Sequence, residues 1–198
     1  MINTQLAGDQ NSDHVTTKVD IPAPSGRGED SDGTAEFIQK VNDTHSWYAE
    51  QAVENERIAR AQYEEWRKRE QCRLYLESIG SPLAPYTMAM QDQAARVGSS
   101  IYMCPAVAVA ESSGGLVNYG SFNAWGLKAH PGGFGSWEEG ITAFYQFLWD
   151  WNISRGYAAT TGSTTPNYCE PTQPWMSNVD SAVRDIQAFY VPPYKSGP

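Results

Sequence analysis

The stretch CPAVAVAESSGGLVNYGSFNAWGLK, Cys104 to Lys128, decides how the chain is read, because here an ionisable residue is set into an apolar run and followed at once by glycines. That residue is Glu111. Every side chain from Pro105 to Ala110 is apolar, so Glu111 is expected at the end of a buried element rather than on a solvated face. Burial disfavours the ionised carboxylate, and a carboxylic acid that stays protonated near neutrality can serve as a general acid. Ser112, Ser113, Gly114 and Gly115 then end the element and let backbone approach a ligand closely. A lone Glu could equally close a core helix and pair with a Lys or Arg, so its neighbours decide the reading.

Those neighbours form three segments in order: ESSGG from Glu111, then Asn123, Trp125, Gly126, Leu127 and Lys128, then Phe134, Ser136, Trp137, Glu138, Glu139 and Ile141. Together they resemble the lysozyme-like peptidoglycan hydrolases of the glucosaminidase type, over roughly Leu74 to Tyr190. The resemblance implies a mainly α, lysozyme-like helical domain that acts on the glycan strand of the bacterial cell wall. It implies Glu111 as the catalytic acid protonating a glycosidic oxygen, and a sugar groove lined by the Asn123–Lys128 segment. Ser112, Tyr119, Phe122, Asn123, Trp125 and Lys128 are the expected substrate-binding residues, with aromatic rings as platforms and Asn123 and Lys128 as hydrogen-bond donors. Trp137, in a helix's first turn beside an apolar stripe, reads as core, whereas Trp125, between Asn-Ala and Gly, reads as groove.

Glycosidases usually employ two carboxylates. Glu138, Glu139 and Asp150 are the possible partners; Glu139 has a structural task in a capping box with Ser136, and Glu138, the least explained by capping, is the candidate second carboxylate. A one-acid route fits the sequence better, since the N-acetyl carbonyl oxygen or the muramic 6-hydroxyl of the substrate can attack the anomeric carbon itself. Two further readings stay open: a sugar-binding module without turnover, and a structural virion protein.

Composition narrows the rest. The net charge of -9 offers no basic stripe for nucleic acid. Arg67, Lys68, Arg69 and Arg73 are interleaved with Glu64, Glu65 and Glu70, as on a solvated helix face. No apolar run approaches the roughly 18 residues of a membrane span. Cys72, Cys104 and Cys169 form no CxxC pair, so neither a metal site nor any other cofactor is expected, and a Cys104–Cys169 bridge stays open. His130, in a Gly/Pro loop, reads as a surface residue.

Three regions are expected. Residues 1–34 lack aromatics and read as a disordered tail without a signal peptide. That points to a phage protein, carried on the virion or released to the host wall, or to a bacterial one with a non-standard export route. Residues 35–80 lack Pro and internal Gly and predict one long helix, with Ile38, Val41, Tyr48, Ala52, Ala59, Tyr63 and Trp66 at helical spacing; docking on a virion partner or self-association is its expected use. Residues 81–198 form the expected catalytic domain, with helices to about Arg96, at 101–113, from Ser136 to Trp151 and from Trp175 to Tyr190.

Overall fold

The computed structural model describes residues 31–158, 160 and 172–195. Its architecture is mainly α, and the described residues form α1 (Ser31–Ser78), α2 (Thr87–Val97), α3 (Met103–Ser112), α4 (Trp137–Trp151) and α5 (Thr172–Gln187). Short 3-10 turns at Ala84–Tyr86 and Ile153–Arg155 join them. Among the described residues the β content is a single bridge, Ser121 to Gly133, and no helix is long and apolar enough to cross a membrane. The expected tail lies almost wholly outside the described residues.

Two units divide the chain, Met1–Tyr48 and Ala49–Pro198. In the first, the described residues belong to α1, where Phe37, Ile38, Trp47 and Tyr48 are exposed and Lys40 pairs with Glu36 at 2.8 Å.

The second unit is built around α3. A helix apolar on all sides must be enclosed, and Met103, Cys104, Pro105, Ala106, Val107 and Ala108 are all buried. Pro105 costs nothing in the first turn, where the amide it lacks would have no intrahelical partner. α3 packs along α5, which contributes Val179, Ala182 and Ile186, while α2 packs against α4. α4 starts as its sequence dictates: Ser136 Oγ accepts from the Glu139 amide, and Glu139 Oε2 accepts from the Gly135 amide at 2.8 Å. Trp137, Ile141, Phe144, Tyr145 and Leu148 face inward, while Trp149 is exposed.

The expected boundary at residue 80/81 is corrected. Cys72 and Leu76, four residues apart on one face of α1, are fully buried in the core. Gln71 donates to the carbonyls of Gln187 and Phe189 and accepts from the Tyr102 hydroxyl. Farther up the helix, the Tyr63 hydroxyl donates to the Pro192 carbonyl and Tyr194 donates to Glu56. Between residues 56 and 76 the helix is thus covered in part by the chain's own C-terminal segment. The basic residues are used locally, Arg67 with Glu64, Lys68 with Glu65 and Arg73 with Glu70 and Glu77; such pairs add about 0.3–0.5 kcal/mol each. A chain beginning at Leu74 should therefore fail to fold. Loss of its cooperative melting transition by circular dichroism is the expected result, and a native-like melt would return this part of α1 to a separate role.

Cys72 and Cys104 are buried; Cys169, the other half of the bridge that had stayed open, lies outside the described residues.

Candidate functional site

α3 delivers Glu111 at its last turn and stops there. Ser113 takes a left-handed conformation (φ 53°), and its amide and that of Gly114 return to carbonyls of the last turn, Val109 and Ala108. Ser112 sits directly behind the acid. Its hydroxyl lies 2.9 Å from the Ala108 carbonyl and 2.7 Å from that of Ala124, and accepts from the Gly115 amide. Buried and fully engaged, Ser112 ties the helix end to the loop that follows instead of presenting itself to a ligand.

That loop is folded by Asn123. Its Oδ1 accepts from the Leu127 amide at 3.0 Å, and its Nδ2 donates to the carbonyls of Leu127 and His130, each at 3.1 Å. With no exposed surface and its amide used up, Asn123 is a clamp and not a ligand donor. The clamp carries Trp125 inward. Trp125 is 0% exposed, donates its indole N–H to the Cys104 carbonyl at 2.9 Å and stacks on Phe144 at 5.7 Å. The expected groove platform is a core residue. Gly140 on α4 explains how the loop seats so closely, since a Cβ there would lie 2.5 Å from the Phe122 carbonyl and 2.7 Å from the Trp125 ring.

Glu111 is exposed as a residue, yet its carboxyl group is crowded. Trp175 on α5 donates its indole N–H to Oε1. Oε2 faces Gly126, where a Cβ would stand 3.3 Å away; with φ at 62°, Gly126 also holds a backbone conformation that side chains disfavour. Burial raises the Glu111 carboxyl above its ordinary range, the Trp175 hydrogen bond and the positive charge of Lys128 pull it down, and burial prevails. Trp175 was not among the expected site residues. Its place on the α5 stripe with Val179 and Ile186 signals burial, but nothing in the spacing says that its N–H ends on a residue 64 positions away.

Of the other expected residues, Lys128 is exposed and is the charged group acting on Glu111 among the described residues. Tyr119 (61% exposed) and Phe122 (36% exposed) stand on the loop that leaves α3 after Glu111. Phe122 has a φ of 54°, an unfavourable conformation for a bulky residue, and its ring rests edge-on against Trp137 at 5.2 Å. Glu138 is exposed on the first turn of α4, and the structure records no contact between it and Glu111. His130 is exposed and lies against Phe134. A cavity of about 400 Å³ opens elsewhere, bordered by Glu65, Lys68, Gln91 and Tyr102, and includes none of these residues. Among the described residues no cluster of His, Cys, Asp and Glu could hold a metal ion.

No protein-family model, no curated protein and no solved structure matches the chain.

Proposed function

We propose that the chain cleaves the glycan strand of bacterial peptidoglycan, with Glu111 as general acid. The observation that carries this reading is the Glu111 carboxyl itself: crowded by Gly126 and Trp175, raised by burial, and still open to solvent on a helix end. A carboxyl raised in this way keeps its proton to higher pH than an ordinary glutamate and can give it to a departing glycosidic oxygen. The carboxylate left behind then takes a proton from water, or from the muramic 6-hydroxyl as that oxygen closes on the anomeric carbon. Lys128 is the charged group acting on Glu111 among the described residues, and no contact joins Glu111 to Glu138, which favours the one-acid route, with the substrate's own oxygen as nucleophile, over a pairing with Glu138. This makes the protein a glucosaminidase, a muramidase or a lytic transglycosylase, acting at a host wall as a phage lysin would.

Mass spectrometry of digested peptidoglycan tests the reading. Fragments ending in reducing GlcNAc, in reducing MurNAc or in the anhydro sugar identify the three chemistries. Walls that bind the folded protein but yield no fragments would replace catalysis with a sugar-binding or structural role.

With Trp125 in the core, the sugar platform passes to Phe122, which is partly exposed and whose ring packs edge-on against Trp137. Phe122→Ala should weaken binding to peptidoglycan fragments about tenfold, as expected from uncovering part of one aromatic ring. The melting temperature should change little. Calorimetric titration with soluble fragments checks this, and unchanged affinity would leave the ring without a role at the sugar.

A further inference from the structure

The geometry points to Trp175 as a positioning residue that assigns the proton of Glu111 to one oxygen, Oε2, and thereby makes α5 part of the acid. This rests on Glu111 being the working acid.

An indole N–H can only donate. The oxygen that receives it must offer a lone pair in both protonation states, as a carbonyl oxygen in the acid and as a carboxylate oxygen in the base. Oε1 fills that role, so the proton resides on Oε2, the oxygen that faces Gly126. A hydroxyl in place of the indole could donate or accept and would leave the choice open. The donor is also held firmly. Trp175 is 6% exposed, and the face it shares with Val179, Ala182 and Ile186 is buried where α5 packs along α3, the helix that carries Glu111. Donor and acid are therefore fixed to one helix pair. Releasing the indole N–H without a partner would leave a buried donor unsatisfied, which keeps the contact closed.

Removing the N–H alters two observables in known directions. The bond stabilises the carboxylate, so without it the Glu111 carboxyl should titrate at higher pH, and the alkaline limb of kcat/KM, where a general acid is lost, should move up with it. Lys128, the charged group acting on Glu111 among the described residues, stays in place. Loss of orientation should lower kcat roughly tenfold with KM nearly unchanged.

The experiment compares full-length wild type with Trp175→Phe, which keeps an aromatic ring. The Glu111 side-chain carbon is followed by 13C NMR across pH and assigned by its disappearance in Glu111→Gln. An upward shift of the titration in Trp175→Phe, with the alkaline limb following, supports the proposal; an unchanged titration in the folded variant overturns it. Wild type gives an answer that does not depend on the variant folding. One of the indole N–H resonances of its 7 tryptophans should titrate together with Glu111 and cease to do so in Glu111→Gln, and the absence of such a resonance overturns the proposal as well. Wall digestion by Glu111→Gln at the wild-type rate would instead refute the catalytic reading, while the two titrations still decide whether Trp175 holds the carboxyl.

Discussion

Glu111→Gln should lower peptidoglycan cleavage by about a hundred- to ten-thousandfold, the usual contribution of general acid catalysis. The amide keeps the size of the side chain, and its oxygen can still accept from Trp175, but it has no acidic proton to give. Turnover within tenfold of wild type, measured by release of soluble fragments, would remove Glu111 from the mechanism. The same substitution should raise stability at neutral pH. Burial lifts the folded-state carboxyl above its ordinary value of 4.5, so between that value and the raised one the folded chain holds more protons than the unfolded chain. Stability then falls as pH rises through this window. Glutamine does not titrate. The variant should melt above wild type at pH 7 and lose that advantage below pH 4.5, as scanning calorimetry at the two pH values will show. More stability with less activity is the signature of a group kept for chemistry at the fold's expense.

Trp125→Ala should destabilise the second unit by about 3–5 kcal/mol, the usual cost of deleting a large buried aromatic side chain. The Cys104 carbonyl also loses its indole donor, which adds about 1–3 kcal/mol if nothing replaces it. Against a total of about 5–15 kcal/mol for an ordinary domain, the variant should sit at the edge of unfolding. Urea titration followed by far-UV circular dichroism measures this. Molecules that stay folded should bind peptidoglycan fragments as wild type does, since the ring has no exposed surface to lose. A stability loss below about 1 kcal/mol together with a large drop in affinity would put the ring back in the groove.

How far the sequence could be read differs from residue to residue. The start of α4 was legible because Ser136 and Glu139 act on amides within four positions, and local hydrogen bonds follow from local spacing. The crowding of Glu111 was legible in direction, since an apolar run ending in a carboxyl must place it near the core. Trp125 was not. Asn-Ala-Trp-Gly reads as loop, loops generally lie on the surface, and only the side-chain amide of Asn123, turned onto Leu127 and His130, draws this one into the interior. The boundary in α1 was hidden for a different reason. The helix continues without a breaker from exposed to buried surroundings, and one of its most enclosed residues, Gln71, is polar.

Gln71 sets a narrow rule of inheritance at its position. Its amide must donate at one end, to Gln187 and Phe189, and accept at the other, from Tyr102. Glutamate has no donor to offer there, lysine has no acceptor, leucine has neither, and methionine has only the weak acceptor of its thioether sulfur. Asparagine has both but is shorter by a methylene. Few codon changes at this site can therefore pass through a viable intermediate, and lineages of this protein should keep glutamine here or replace it together with Tyr102, the two positions drifting as a pair.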